Sequence, residues 1–313
     1  MSSSAVAANS TNSVTKKSPF KKFIKNNAGF FFILPWLIGF LVFKLYPFGS
    51  SLVYSFSDEQ MFKAASTWGF MNYEKIFTDE KIIKAFQVTF KYAFLTVPLK
   101  LIAALFIAYI LNFKIKGVNF FRTAYYIPSI LGGSVAIAVL WKAIFKDDGL
   151  LNSALALIGV QGPNWLSSTK HSLFVICLLR VWQFGSAMVI FLAALKGVPA
   201  DLYEAASIDG ASKWRQFFSV TIPLITPVIF YNLVTQLCQA FQEFNGPYII
   251  TKGGPRSSTT LASLLIYNAA FGSRKTSLAY AMAWIMFLII MFFTIIASLS
   301  QKYWVYYSDE EGR

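Results

Sequence analysis

Six long runs of apolar residues alternate with short polar connections along the chain. The runs cover 29–46, 87–111, 126–145, 173–195, 223–244 and 278–299. Each is close to or above the roughly 20 helical residues that cross a hydrocarbon core about 30 Å thick. Because backbone groups in lipid must be paired within their own segment, the runs are expected to be helices. The pattern predicts an all-α integral membrane protein with six transmembrane helices.

Composition separates this membrane domain from two polar tails. Of the 313 residues, 56% are hydrophobic and only 13% are charged, which fits a chain that lies mostly in lipid. The first residues are small and polar, a composition that cannot form a packed core. We expect a disordered, basic tail at 1–28, the six-helix domain at 29–300 and a second tail at 301–313.

The basic residues indicate the orientation of the chain. Lysines crowd the approach to the first apolar run, whereas the first acidic residue is Asp58. Because cytoplasmic segments carry the excess of Lys and Arg, the N-terminal tail is expected in the cytoplasm, and six spans return the C-terminal tail to the same side. The net charge of +14 then indicates topology and contact with anionic lipid rather than nucleic-acid binding.

The connection at 195–223 carries the most specific pattern of the chain. Pro199 favours the start of a short helix, where its missing N–H costs nothing, and Gly210 predicts a left-handed bend after that helix. A second helix is expected to begin near Ser212. A short two-helix element with acidic and aromatic residues is suited to docking on a partner protein. The alternative is an ordinary amphipathic loop that lies on the membrane surface.

Residues that suggest catalysis or metal binding are scarce. None of the 18 glycines is followed by lysine, so the phosphate-binding P-loop motif is absent. His171 is the single histidine, and Cys177 and Cys238 lie within apolar runs, so neither a metal site nor a disulfide framework is predicted. We expect no enzyme activity and no cofactor in this chain. If ATP drives its action, another polypeptide binds the nucleotide.

Residues 203–211, taken with Trp214, Phe217 and the closing 221–223, resemble the EAA loop of binding-protein-dependent ABC importer permeases. The resemblance to the maltose and multiple-sugar branch covers nearly the whole chain. Further matching stretches lie at 35–40, 122–128, 149–152, 164–166 and 251–255. One departure is Lys252, where the family more often has glycine.

The resemblance implies the type I importer permease fold, in which the hairpin is a coupling helix seated in a groove of a cytoplasmic ATPase. Eight hairpin residues are expected to make that contact: Tyr203, Glu204, Ala205, Ala206, Asp209, Gly210, Trp214 and Phe217. The implied partners are a homologous second permease, two ATPase subunits that bind ATP and Mg²⁺, and an extracytoplasmic sugar-binding protein. The implied substrate is a carbohydrate, with oligosaccharide favoured, and the implied location is a bacterial or archaeal cell membrane.

Polar residues inside the apolar runs are the candidates for the substrate path. In the fifth run Asn232, Gln236, Gln239 and Glu243 are spaced four, three and four residues apart, which places them on one helical face. Such a polar stripe must point into the bundle, where it either lines a path or forms hydrogen bonds between helices. Further candidates are the amide and aromatic residues Gln183, Trp182 and Trp141. Arg180 lies deep in the fourth run and is expected to pair with an acid on a neighbouring helix.

The sequence is therefore interpreted as the transmembrane permease of an ATP-driven carbohydrate importer. A secondary transporter driven by an ion gradient is the first alternative, although such proteins often contain internal repeats and no clear repeat is present here. A membrane scaffold that transports nothing is the second, and it would leave the polar stripe with only a packing role.

Overall fold

The computed structural model describes residues 28–61, 63–113 and 116–307. The chain divides into two compact units, 1–53 and 54–313, which are described in turn. The predicted N-terminal tail at 1–28 lies almost entirely outside the described residues, as does the end of the C-terminal tail.

The first unit contains most of helix α1, which comprises Ala28–Phe40, a π-helical turn at Leu41–Leu45 and Tyr46–Ser55. The rings of Trp36 and Phe40 stack one helical turn apart, with centroids 5.5 Å from each other. The helix continues beyond the apolar run that ends at residue 46. Its wider π turn ends two residues before Pro47, whose missing N–H would interrupt a regular α-helical ladder.

The second unit is built from helices α2 to α12. Their bounds are α2 Met71–Thr78, α3 Glu80–Asn112, α4 Val118–Leu131, α5 Val135–Phe145, α6 Leu150–Leu157, α7 Ser172–Trp182, α8 Gly185–Gly197, α9 Ala200–Ile208, α10 Lys213–Phe241, α11 Ala262–Gly272 and α12 Thr276–Trp304. Within α10 a π turn spans Phe217–Thr221, and a separate π turn at Pro247–Thr251 lies between α10 and α11.

Helix α3 is the centre of the second unit. Its small residues Ala93, Ala104 and Ala108 are fully buried. One core cluster joins α3 to α7, α10, α11 and α12, and another joins it to α8 and α10. Small side chains allow helix backbones to approach closely in a membrane protein, where packing rather than hydrophobic burial drives helix association.

The third predicted span is wrong as a continuous helix. Helix α4 begins at Val118 and ends at Leu131, and the chain then bends by 101° into α5 and α6. The bend coincides with Gly132 and Gly133, and Ser134 caps α5 by accepting a hydrogen bond from the Ala136 amide at 3.2 Å. Two glycines followed by a capping serine favour a helix end, even though the whole run is apolar enough to span.

The fourth predicted span is also broken, between α7 and α8, with a bend of 43°. Gly185 opens α8 and lies so close to α4 that a Cβ there would overlap the backbone of Tyr125 and Tyr126. If each bent pair counts as one span, the described residues contain up to six candidate spans, the number predicted from the sequence.

The loop between α1 and α2 is folded around Asp58. Its carboxylate accepts hydrogen bonds from the Ser66 hydroxyl at 2.6 Å, the Ser66 amide at 2.7 Å and the Thr67 amide at 2.9 Å. These bonds stabilise the ionised carboxylate and hold the pKa of Asp58 well below its usual range. The carbonyl of Glu59 accepts a hydrogen bond from Ser277 Oγ at 2.8 Å, which ties this loop to α12.

Lys252, the departure noted in the sequence, lies at a left-handed turn. This residue has a φ of 51°, in the left-handed region that glycine occupies most easily. The turn is held by a 2.6 Å hydrogen bond between the hydroxyls of Thr251 and Thr259. The glycine that the family more often has at this position would adopt the same backbone without steric strain.

Candidate functional site

The two helix breaks meet inside the second unit. Gln183, at the α7–α8 break, donates a hydrogen bond from Nε2 to the carbonyl of Gly132 at the α4–α5 break, over 3.1 Å. A Cβ at Gly132 would overlap the Gln183 side chain, so the glycine leaves room for this contact. Irregular backbone at membrane depth requires such partners, because unpaired carbonyls in lipid are costly.

Arg180 lies beside this junction and is surrounded by acceptors. Its Nη1 donates to Gln183 Oε1 at 3.1 Å, and its Nη2 donates to Gln239 Oε1 at 2.7 Å. Its Nε lies 3.8 Å from Glu243 Oε2, which confirms that the arginine pairs with an acid on a neighbouring segment. The ion pair is loose, since the nearest charged atoms are beyond hydrogen-bonding distance.

Glu243 lies two residues after α10, which ends at Phe241. Its Oε1 accepts a hydrogen bond from the Gly246 amide at 3.0 Å. The next polar residue, Asn245, donates from Nδ2 to the carbonyl of Gly133 at 3.4 Å. The end of α10 is therefore tied to the α4–α5 break, and Glu243 belongs to the segment after α10 rather than to the helix itself.

Two cavities share Arg180, Glu243 and Asn245 as a common wall. The smaller, about 40 Å³, is also lined by Tyr92 and by both glycines of the α4–α5 break. The larger, about 290 Å³, is also lined by Gln239 and Gln242. The latter is near the lower limit of about 300 Å³ for small-molecule sites. The residues Arg180, Gln183, Gln239, Glu243 and Asn245 are called the central polar cluster below.

The four residues of the polar stripe predicted for the fifth run lie in two different environments. Asn232 and Gln236 are buried in the bundle, whereas Gln239 is exposed and Glu243 is half-buried at the cavities. Gln236 accepts a 2.7 Å hydrogen bond from Nζ of Lys100, a buried lysine on α3. The Lys100 contact favours a packing role for Gln236, whereas the buried Oδ1 of Asn232 has no hydrogen-bond partner among the described residues. Gln239 and Glu243 stay candidates for the path.

Sequence reasoning missed a polar row on α3. Tyr92, Thr96 and Lys100 are spaced four residues apart and share one helical face. The hydroxyls of Tyr92 and Thr96 are buried with no hydrogen-bond partner among the described residues, and Tyr92 lines the smaller cavity. The sequence did contain the signal, because three polar residues recur at every fourth position. It was overlooked because threonine and tyrosine are common in membrane helices.

Trp141 and Trp182, predicted as aromatic surfaces for a sugar, contact each other. Their ring centroids lie 5.5 Å apart, and Trp141 Nε1 donates to the carbonyl of Val175 at 3.1 Å. They pack around the small cluster of Ala138 and Leu179. Both rings are half-buried, so a substrate contact by either one stays a prediction.

The bend predicted at Gly210 is confirmed. Gly210 has a φ of 74°, and the amides of Gly210 and Ala211 donate to the carbonyls of Ser207 and Ala206 at 3.1 and 2.9 Å. This pattern satisfies the last carbonyls of α9 at a left-handed turn. The second hairpin helix starts after Ser212 as predicted, but it is the first part of α10, so the fifth span begins at Lys213 rather than at residue 223.

One side of the hairpin is anchored to the membrane domain. The Tyr203 hydroxyl lies 2.8 Å from the Thr221 hydroxyl, and the Phe217 ring contacts Tyr109 of α3 with centroids 4.6 Å apart. Gln216 Nε2 adds a hydrogen bond to Ser207 Oγ at 2.9 Å. Tyr203 and Phe217 therefore hold the hairpin in place from its inner side.

The other side of the hairpin exposes large apolar residues. The exposed fractions are 87% for Ile208, 71% for Trp214 and 62% for Phe218. Glu204 and Asp209 are exposed as well, as is Ala205, while Ala206 is half-buried. Ile208 and Phe218 were not among the predicted contact residues. Exposed apolar side chains rimmed by acids are typical of a protein-binding surface.

Comparison with known families identifies the chain. The family described as binding-protein-dependent transport system inner membrane component matches residues 16–305. The chain belongs to this family. The permease is therefore a membrane component of an ABC transport system, and family membership favours neither an ion-gradient transporter nor a scaffold without transport.

Two relatives match this permease over nearly its full length. It is 44% identical over 310 residues to the probable ABC transporter permease protein YesP of Bacillus subtilis, covering 98% of this chain and 100% of YesP. It is 34% identical over 284 residues to AmyD of Thermoanaerobacterium thermosulfurigenes, described as a probable permease for starch degradation products. That match covers 90% of this chain and 97% of AmyD.

A solved structure shares the permease fold. The permease superposes on a chain of a bacterial alginate ABC transporter, crystallised in complex with an alginate pentasaccharide-bound periplasmic protein, with a TM-score of 0.78 and 21% identity. The match covers 90% of this chain and 96% of the other. It confirms the predicted all-helical importer permease fold.

Proposed function

We propose that this permease forms part of the translocation path of an ATP-driven carbohydrate importer, paired with a homologous second permease. The observation that carries the proposal is the central polar cluster at the meeting point of two broken spans. Charged and amide side chains at membrane depth are retained where they line a wet path or a binding site. AmyD, which the chain resembles over 90% of its length, is named for transport of starch degradation products.

The chemistry of the cluster suits a hydroxylated substrate. Gln183, Gln239 and Asn245 offer amide groups that both donate and accept hydrogen bonds, and Tyr92 adds a hydroxyl without a described partner at the same cavity. Arg180 is held by two amides and only loosely by Glu243, so its guanidinium can exchange partners as a sugar passes. We favour an oligosaccharide, because the resemblance is to the maltose and multiple-sugar branch.

The hairpin at 195–223 is proposed to couple this path to the ATPase. Ile208, Trp214 and Phe218 would enter an apolar groove of the ATPase, while Glu204 and Asp209 would face basic groups at its rim. ATP and Mg²⁺ would be bound by two ATPase subunits, since this chain has no P-loop motif.

The orientation follows from this coupling. An ATPase in the cytoplasm requires the hairpin on the cytoplasmic side, and both termini then lie on that side. The sugar would arrive at the opposite face of the membrane on an extracytoplasmic binding protein. The lysine-rich N-terminal tail supports the same orientation through the positive-inside rule.

Reconstitution of the whole importer tests the proposal. Both permeases and the ATPases are placed in liposomes with ATP inside, and uptake of labelled oligosaccharides is followed after the binding protein is added outside. We expect uptake that needs ATP and the binding protein and that continues when ionophores dissipate ion gradients. Uptake that survives an inactive ATPase but stops with ionophores would contradict the proposal in favour of a secondary transporter.

A further inference from the structure

A further cavity lies between α4 and α8, away from the central polar cluster. Its volume is about 510 Å³. The residues that line it are Arg122, Thr123, Tyr126, Val189, Leu192, Ala193 and Lys196. Because α8 runs directly into the 195–223 hairpin, the end of the cavity that holds Lys196 is at the hairpin side of the membrane domain.

The hairpin end of this cavity is cationic. Arg122 donates from Nη2 to the carbonyl of Leu111 at 2.9 Å and from Nη1 to Asn119 Oδ1 at 3.2 Å. Its Nε is buried without a hydrogen-bond partner among the described residues. Lys196 is an exposed cation in the last turn of α8. The lining includes two cations and no acidic residue.

Apart from Thr123 and the Tyr126 hydroxyl, the remainder of the cavity is apolar, and it is open at the surface of the second unit. Val189 and Ala193 are exposed, and Leu192 forms the buried floor between them. Tyr126 contributes an exposed ring whose apolar body and polar tip suit the membrane interface. The groove thus has one end suited to a negative charge and a wall suited to a hydrocarbon chain.

We propose that this groove binds an anionic phospholipid. The phosphate lies between Arg122 and Lys196, while an acyl chain runs along Val189 and Ala193. The charge of the lining selects this occupant, because basic pockets between membrane helices attract anionic headgroups and a neutral helix would leave both cations unpaired. The bound lipid connects α4 to α8 next to the hairpin. This site is separate from the proposed sugar path.

The test is lipid retention by the complete importer. The complex is purified from nanodiscs that contain equal amounts of phosphatidylglycerol and phosphatidylcholine and is examined by native mass spectrometry. We expect one retained phosphatidylglycerol per copy of this permease. Lys196→Gln and Arg122→Gln should each lower its retention by about fivefold, the effect expected for one basic residue near an anionic lipid.

Matched variants keep the test decisive. Lys116→Gln removes an exposed cation between α3 and α4 that does not line the groove, and it should retain lipid like the wild type. Lys196 is exposed, so its variant reports on binding even if Arg122→Gln fails to assemble. Equal retention of phosphatidylcholine, or unchanged retention in Lys196→Gln, would overturn the proposal. A crosslink from a photoreactive side chain at Val189 to the second permease, instead of to lipid, would also overturn the proposal.

Discussion

Nζ of Lys100 on α3 lies 2.7 Å from Oε1 of Gln236 on α10, and the two residues are only 3% and 6% exposed. A buried amine donor is costly unless a hydrogen bond satisfies it, and among the described residues no carboxylate forms an ion pair with Lys100. The contact joins two helices of the central bundle. Gln236 therefore stabilises the fold through Lys100 whatever its relation to the substrate.

The first prediction concerns this pair. Gln236→Leu should destabilise the purified complex by about 1–3 kcal/mol, because it leaves the buried Lys100 donor without its acceptor. The double variant Lys100→Met with Gln236→Leu should regain most of that loss, since removing both polar groups leaves nothing unpaired. Thermal unfolding of the four members of this mutant cycle measures the coupling. Additive effects of the two changes would show that the contact is not formed.

The second prediction concerns Gln239 in the central polar cluster. Gln239→Ala should lower sugar-stimulated ATP hydrolysis and uptake by about tenfold, the size expected for one hydrogen bond to a charged group. The complex should assemble at normal yield, because Gln239 is exposed. Thr235→Ala, on the same helix, removes a hydroxyl bonded to its own helix and should have little effect. Wild-type transport by the Gln239 variant would contradict a role for this residue in the path and would favour substrate contacts made by the second permease.

The third prediction concerns the hairpin bend. Gly210→Val should strain the left-handed backbone by about 1–2 kcal/mol and weaken ATPase association, while membrane insertion continues. Gly159 is the matched control, because its φ of 77° is nearly equal to the 74° of Gly210 and both glycines have open space where a Cβ would lie. Gly159→Val should keep the ATPase bound. Co-purification of the ATPase measures the difference, and equal loss in both variants would mean that strain alone is responsible.

The fourth prediction concerns orientation. In a background with Cys177→Ala and Cys238→Ala, a cysteine at Thr169 should react in intact cells with a membrane-impermeant maleimide, whereas one at Lys116 should react only after the membrane is opened. Both sites are exposed and lie in connections at opposite ends of the predicted spans. The reverse labelling order would invert the topology.

The fifth prediction concerns the Asp58 loop. Because hydrogen bonds from Ser66 and Thr67 lower the pKa of Asp58, the carboxylate stabilises the loop at any pH above the unfolded value of about 3.9 and loses this effect as the pH falls through its lower folded value. Amide exchange at Ser66 and Thr67 should stay slow from neutral pH down to about pH 4. Asp58→Ala should expose both amides throughout that range. Fast exchange in the wild type already at pH 6 would contradict this account.

The sequence was sufficient for the hairpin bend and for six apolar runs, which correspond to the described spans when each bent pair counts as one. Apolar runs of the right length have few alternatives in a membrane, and Gly210 marks a backbone conformation that other residues rarely adopt. The breaks were not predicted, because composition cannot distinguish one straight span from two apolar pieces joined at Gly132 or Gln183. The Lys100–Gln236 contact joins residues 136 positions apart, which periodicity along one helix cannot reveal.

The close seat of Gly185 against α4 has a mechanical consequence. Helix α8 is held against the backbone of Tyr125 and Tyr126 at one end and continues into the hairpin at the other. A single helix therefore joins the contact beside Gln183 to the hairpin that is proposed to meet the ATPase. A displacement of the hairpin would then be transmitted along α8 and would rotate Gln183 slightly relative to Gly132. The size of the movement at Gln183 for a given displacement of the hairpin would depend on the length of α8 between these two points.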